Sequence, residues 1–197
     1  MIEVPIEEAV DLIPDRCSLG IGGVLLKRKP MAILAELARA ERTSIEAMTF
    51  LGSIDIELLA SAGTIDTFSG GYVGFEHLGF APAFTSAVAE GRIGYREHSE
   101  YLFMSGLRAA VAGVPFMPTK GAMGSELVTE LGLVEIDDPY TGSPVIAVPA
   151  ISPEVTVIHA EASDHDGNIG ASTTADFLSD FDSTIARAST QIGRAHV

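Results

Sequence analysis

Apolar and polar positions along this chain switch repeatedly between two periods, and the switching marks out strands alternating with helices. Short segments reading as strands fall at 18–24, 45–51, 65–68, 92–97, 145–148 and 155–159, the last two of them β-branched runs. Such runs mark strands because β-branched side chains fit a pleated, buried surface. Helical spacing is clearest over 30–42, where Met31, Leu34, Leu37 and Ala38 share one stripe. Further helices are expected over 5–12, 56–62, 82–90, 99–112 and 175–188, and 116–118 reads as a short extended segment. The punctuation agrees. Gly91 and Gly113 stand where helices close on a left-handed residue, Ser99 stands at an N-cap, and Pro30 suits a first helical position. The alternation predicts an α/β fold with an open, mostly parallel sheet and helices on both faces. No internal repeat, low-complexity tract or linker interrupts it, so one domain over residues 1–191 is expected.

In such sheets, ligands gather where loops leave the carboxyl ends of the strands. Gly22-Gly23, Gly52-Ser53, Ser69-Gly70-Gly71 and Glu97-His98-Ser99-Glu100 all follow predicted strands and are expected to meet on one rim. Ser53, Gly70, Gly71 and His98 are the candidates there for a substrate pocket. The richest corner is Gly20-Ile21-Gly22-Gly23 leading into Lys27-Arg28-Lys29-Pro30. Adjacent glycines open the backbone to close approach, and three cations beside a helix start suit an anion. A solvated loop between strand and helix accounts for the same charges equally well. Glu100 at a helix start offers a general base or a nucleophile. It also complements the helix dipole, worth roughly 0.3–1 kcal/mol, and that structural role needs no chemistry.

Composition narrows the field. The chain has 197 residues, 47% of them hydrophobic, enough for one substantial core. A net charge of -15 excludes a nucleic-acid surface, which needs a basic stripe. An anionic ligand therefore requires local cations, and Lys27, Arg28 and Lys29 are a quarter of the 12 basic residues. Cys17 is the single cysteine, so no intrachain disulfide is possible, and it reads as a small buried thiol. There is no secretory pattern and no apolar run of membrane-spanning length, so a cytoplasmic protein without a membrane contact is expected. His77, His98, His159 and His165 lack a ligand spacing such as His-x-x-x-His, and no metal site is expected. Asp164-His165-Asp166-Gly167-Asn168 lacks the closing glutamate of a calcium loop and reads as a polar turn. Neither a Gly-x-Ser-x-Gly elbow nor a Walker loop occurs. Residues 192–197 match a translated sequencing-adapter string and are expected to be an artefact, leaving the domain incomplete at its C-terminus.

Several ordered motifs carry a family resemblance from residue 6 to residue 190. They are Gly20-Ile21-Gly22-Gly23 with Arg28-Lys29-Pro30, then Tyr72-Val73-Gly74-Phe75-Glu76, Gly91-Arg92-Ile93 and Glu97-His98-Ser99-Glu100-Tyr101. Gly106-Leu107-Arg108-Ala109-Ala110, Gly113 to Lys120, Asp138-Pro139-Tyr140-Thr141-Gly142 and His159-Ala160-Glu161 follow in order. Together they make the chain resemble the A (alpha) subunit of class I CoA-transferases, in the glutaconate CoA-transferase branch. Two positions depart from the general pattern, which tends to have Phe where Val24 stands and Gly where Arg28 stands. Arg28 resembles the glutaconate-type branch rather than the short-chain 3-oxoacid enzymes.

The resemblance implies a NagB/RpiA/CoA-transferase-like fold, coenzyme A as substrate thioester, and a hetero-oligomer with a B (beta) subunit. It implies ping-pong transfer of CoA from an acyl-CoA to a carboxylic acid through a glutamyl-CoA intermediate. The nucleophilic glutamate normally lies on that partner, in a Glu-Asn-Gly-like context, and the tripeptide is absent here. Bare amides at Gly22 and Gly23 are then expected to stabilise the thioester oxyanion. Arg28, Lys29 or Lys120 are expected to meet CoA phosphates or the acceptor carboxylate. Two alternatives stand beside this. Steroid-degradation ring hydrolases resemble the same type of chain and use the glutamate matching Glu100, and a non-catalytic CoA-binding or scaffold protein shares the fold.

Overall fold

The computed structural model describes residues 3–166, 168–170, 178 and 180–190. The strands of its two larger sheets are, in chain order, β1 (Ser18–Ile21), β2 (Ile45–Met48), β3 (Ile65–Gly70), β4 (Gly94–Glu97), β5 (Phe116–Thr119), β6 (Val134–Asp137), β7 (Pro144–Pro149) and β8 (Val155–Val157). The main helices are α1 (Ile6–Asp11), α2 (Met31–Arg39), α3 (Ile54–Ser61), α4 (Pro82–Ala89), α5 (Glu100–Ala112) and α6 (Asp180–Ala188).

Five strands form a wholly parallel sheet in the order β8-β1-β2-β3-β4. β1 sits inside it, with Gly20 opposite both Met48 and Thr156. Its residues Leu19 and Ile21 are fully buried, as a strand covered on both faces requires. One face carries α1 to α4. Ile33, Leu34 and Leu37 of α2 and Ile56 and Leu59 of α3 pack there against Ile45, Ala47 and Phe68. Each such side chain contributes about 1.5–3 kcal/mol by leaving water. The other face is only partly covered by a helix pair, where Phe103 and Leu107 of α5 meet Phe181 and Ile185 of α6. α5 is closed at both ends as its sequence requires. The Ser99 hydroxyl accepts from the Leu102 amide at 3.3 Å, and Gly113 takes the left-handed conformation at φ 67°.

The expected parallel α/β sheet with helices on both faces is present, and one expected strand lies outside it. Residues 145–148 belong to β7, the centre of an antiparallel sheet in the order β5-β7-β6. The reason is connection length. Residues 150–154 alone join β7 to β8, too few for the crossover a parallel neighbour needs. β6 and the one-turn helix Leu127–Glu130 had no counterpart among the expected elements. Val134-Glu135-Ile136-Asp137 places two acidic residues, which strands disfavour, among two apolar ones, and so gives a faint signal. The helix expected over 175–188 is seen as α6 from Asp180, and its earlier residues, like 192–197, lie outside the described residues.

At Gly70, where β3 ends, a Cβ would press against the Thr49 carbonyl oxygen and the Phe68 ring. Gly94 on the edge strand has nothing nearer than 3.8 Å. Gly70→Ala should therefore cost about 3 kcal/mol or more through overpacking against rigid backbone. Gly94→Ala should stay within about 0.5 kcal/mol, as surface changes usually do. Urea denaturation of the two variants checks this, and equal midpoints would contradict the close approach at Gly70.

Candidate functional site

The loops after β1 and β2 meet on one buried ammonium group. Lys29 Nζ donates to the Gly23 carbonyl at 3.1 Å, the Leu51 carbonyl at 3.0 Å and Thr49 Oγ1 at 3.4 Å, and pairs with Asp55 Oδ2 at 2.8 Å. Both side chains are inaccessible, at 1% and 0% exposure. The other Asp55 oxygen accepts from the Ser53 amide at 2.6 Å, which anchors the start of α3. Burial pushes the Lys29 pKa down, and the Asp55 carboxylate opposes that shift.

A second carboxylate seals the glycine corner. Asp182 of α6 accepts from the Gly23 amide and, at 2.7 Å, from Arg28 Nε. The Gly22 amide donates to the Val157 carbonyl of β8 at 2.9 Å. Gly22 and Gly23 therefore do not offer the bare amides expected of them, since both are buried with their N–H groups engaged inside the chain. Arg28 and Lys29 are likewise turned to structural partners rather than towards a ligand. Asp182 lies 159 residues from Gly23 in sequence, and no local pattern pairs the two.

The glycines of the next corner also serve packing. The Gly71 amide donates to the Phe50 carbonyl at 2.8 Å, and a Cβ there would meet the Phe50 ring and the His98 carbonyl. Ser53 is fully buried and its hydroxyl finds no partner, so it lines no open pocket. The rim nevertheless forms as expected, with the His98 amide donating to the Gly70 carbonyl at 2.9 Å.

Beside this rim lies a cleft of about 250 Å3 between the uncovered part of the parallel sheet, α5 and the antiparallel sheet. Its polar floor is Glu46, Ser69, Arg96 and His98. Glu46 Oε1 accepts from Ser69 Oγ and from Arg96 Nη1, both at 2.8 Å. These three residues come from neighbouring strands β2, β3 and β4; Ser69 and Arg96 are register partners, and Glu46, two residues before Ser69's partner Met48, reaches them diagonally. Met48, Leu102, Leu131, Leu133, Val148 and Ile151 supply apolar lining. His98 stands edge-on to Phe103 at 5.4 Å between ring centroids, with Nδ1 buried and unpartnered. Burial, reinforced by Arg96, pushes its pKa down to about 4, so the imidazole is neutral at pH 7.

Of the rim residues expected from sequence, Ser69 and His98 line this cleft, and of the pocket candidates Ser53, Gly70, Gly71 and His98 it is His98 that does so. Glu46 and Arg96 were missed, because a Glu inside a strand and an Arg on its edge carry no motif. The faint signal was that Glu46 interrupts an otherwise apolar run. Glu100 is exposed in the first turn of α5, and Lys120 is exposed just after β5. Cys17 is buried, as expected, and burial followed by the Glu154 charge raises its thiol pKa to about 11. Asp164 Oδ1 accepts from the Asp166 and Asn168 amides, the bonding of a polar Asx turn. Among the described residues no group of side chains is arranged to hold a metal ion, and no helix is long and apolar enough to cross a membrane.

A family model described as coenzyme A transferase matches residues 4–188. The cholesterol ring-cleaving hydrolase IpdA subunit of Rhodococcus jostii (strain RHA1) is 32% identical over 173 residues, covering 84% of this chain and 58% of that protein. The A subunit of glutaconate CoA-transferase from Acidaminococcus fermentans is 24% identical over 169 residues, 77% of this chain and 53% of that one. The crystal structure of glutaconate coenzyme A-transferase from the same organism matches with a TM-score of 0.85 at 21% identity, over 95% of this chain and 64% of that chain. The crystal structure of a variant of the decarboxylase AibA/AibB matches with a TM-score of 0.90 at 29% identity, over 98% of this chain and 73% of that chain. The chain thus spans little more than half the length of these two curated relatives.

Two outcomes test the polar frame. Lys29→Met leaves Asp55 buried without its counter-charge and should cost about 3–5 kcal/mol. Adding Asp55→Leu should recover much of that loss in urea denaturation, and no recovery would mean the pair is not coupled. For His98, the unfolded side chain binds its proton near pH 6.5 and the folded one only near 4. Its contribution to stability is therefore complete above pH 6.5 and is lost as pH falls from 6.5 towards 4. His98→Phe should flatten the decline in Tm across that window, whereas parallel wild-type and variant profiles would refute the shift.

Proposed function

The chain belongs to the coenzyme A transferase family, and on that footing we propose that it acts as the A subunit of a two-chain enzyme. That enzyme moves CoA from an acyl-CoA to a carboxylic acid. The family match over residues 4–188 carries this reading. The geometry supports a nucleophile from elsewhere. Glu46, the carboxylate of the cleft, already accepts from Ser69 and Arg96, and Glu100 is exposed to water. A carboxylate nucleophile works when it is positioned, desolvated and unencumbered, and neither of these two satisfies all three conditions.

In the proposed route, a glutamate oxygen from the partner chain attacks the acyl carbonyl carbon and CoA leaves as thiolate, giving an acyl-glutamyl anhydride. The thiolate then attacks the glutamyl carbonyl, the acyl group leaves as a carboxylate, and a glutamyl-CoA thioester remains. The acceptor carboxylate reverses the sequence and departs as the new thioester. This chain contributes the cleft that holds the acyl group, and Lys120 is the exposed cation of the expected set that meets CoA phosphates. With the glycine amides engaged internally, the oxyanion is met by donors other than Gly22 and Gly23.

A second reading has a specific basis. The ring-cleaving hydrolase relative is 32% identical to this chain. Glu100 is the position that the resemblance matches to the working glutamate of that branch. Reconstitution with the partner chain separates the two readings. Transfer predicts CoA exchange between thioester and carboxylate by the pair, none by this chain alone, and near-normal exchange in Glu100→Ala. Hydrolysis of a cyclic thioester's ring, abolished by Glu100→Ala, would establish the alternative, and turnover by the isolated chain would overturn the transferase reading.

A further inference from the structure

An antiparallel sheet with one face on a core normally turns polar residues to its other face. The sheet β5-β7-β6 does not. Its register sets Pro118 and Val134 on either side of Ala147, and Ile136 beside Val145, so these residues share one face with Phe116. The opposite face is the packed one, where Ile146 and Val148 join Leu102 in a core. The outer set is therefore Phe116, Pro118, Val134, Ile136, Val145 and Ala147, and it contains no polar or ionisable side chain. Among the described residues, none of the six joins any of the three apolar cores. Phe116 is 38% exposed and Val134 60%. Three strands and three rows of side chains present roughly 300 Å2 of carbon, an extent that on soluble chains often marks an interaction site.

The charge balance identifies the occupant. With a net charge of -15, most of this chain's surface repels a second copy, and the outer face is where two copies can meet without opposing carboxylates. The hairpin end of the face carries one charge of each sign, because Lys120 follows β5 and Asp138 follows β6. The Asp138 carboxyl, lowered first by the Thr141 hydroxyl, also feels the Lys120 charge. A two-fold copy therefore meets no excess of like charge at that end. An isologous contact also needs a patch complementary to itself, and an uncharged carbon surface meets that condition. Sheets pack in this way face to face across about 10 Å, with their strands about 30° apart. We propose that the outer face of the antiparallel sheet is the two-fold contact between two copies of this chain. Its roughly 300 Å2 is the apolar centre of an interface that typically spans about 800 Å2 per partner, and the loops around it form the polar rim. The proposal stands apart from the transferase reading, whose cleft lies on the other side of the same sheet.

Sedimentation velocity of the full chain at micromolar concentration should show a dimer, and added salt should tighten it by screening the like net charges. Val134→Lys brings the net charge nearer zero but buries an unpaired cation in the contact, so dimerisation should weaken at least tenfold. Repulsion between net charges alone predicts the opposite sign. Phe116→Lys should act in the same direction and replaces the first variant if circular dichroism shows that one unfolded. Leu12→Lys, at a 65% exposed position beyond α1, should leave the dimer unchanged. A monomeric wild type overturns the proposal, and so does a dimer that survives both face substitutions or weakens equally with Leu12→Lys. A chain that is monomeric alone, and protects Phe116 only on meeting a different partner chain, would give the face to that partner and overturn it as well.

Discussion

Lys29 is a single buried cation shared by four groups from three parts of the molecule: the carbonyl after β1, the carbonyl and the hydroxyl in the turn after β2, and the carboxylate that starts α3. An ammonium group with no water around it must be surrounded by acceptors, or its burial is prohibitive. Satisfying it therefore fixes the relative positions of the loops that supply them. Asp182 repeats the device from the opposite face by binding the Gly23 amide and Arg28, so α6 is tied to the same corner. The carboxyl end of the parallel sheet is thus held by ionic contacts, whereas the helix layers beneath it are held by apolar packing.

This division explains where an open site remains. The face carrying α1 to α4 is closed by a continuous apolar core. On the other face α6 packs on β1 and β8, and the floor over β2, β3 and β4 is largely polar. A polar floor gains little from a helix packed on it, so the strands there face a cleft and the antiparallel sheet stands opposite. The exposed edge strand β4 carries Arg96 and Glu97, charges of the kind that discourage pairing with a stray strand.

The glycine corner shows how one sequence pattern serves two different ends. Adjacent glycines beside cations suggest a bare backbone open to an anion, and here the anion is the protein's own Asp182. The basic run follows the same logic, since Lys29 is consumed by Asp55 and Arg28 by Asp182. The cations and amides expected to meet a ligand there are met by carboxylates and a carbonyl of the chain itself.

The alternation of strands and helices, the capped ends of α5, the buried state of Cys17 and the meeting of loops on one rim were all legible in the sequence. Each follows from local rules: hydrophobic period, the special φ of glycine, and the position of loops at strand ends. The partner of Asp182 and the pairing of Glu46 with Arg96 were decided by tertiary structure alone, whereas the short connection 150–154 already keeps residues 145–148 from a parallel place beside β8. Both pairings depend on which distant segments become neighbours, and a one-dimensional pattern of charges and β-branched residues is compatible with several such arrangements. Local propensity names the elements. Register and the need to neutralise each buried charge choose the contacts between them.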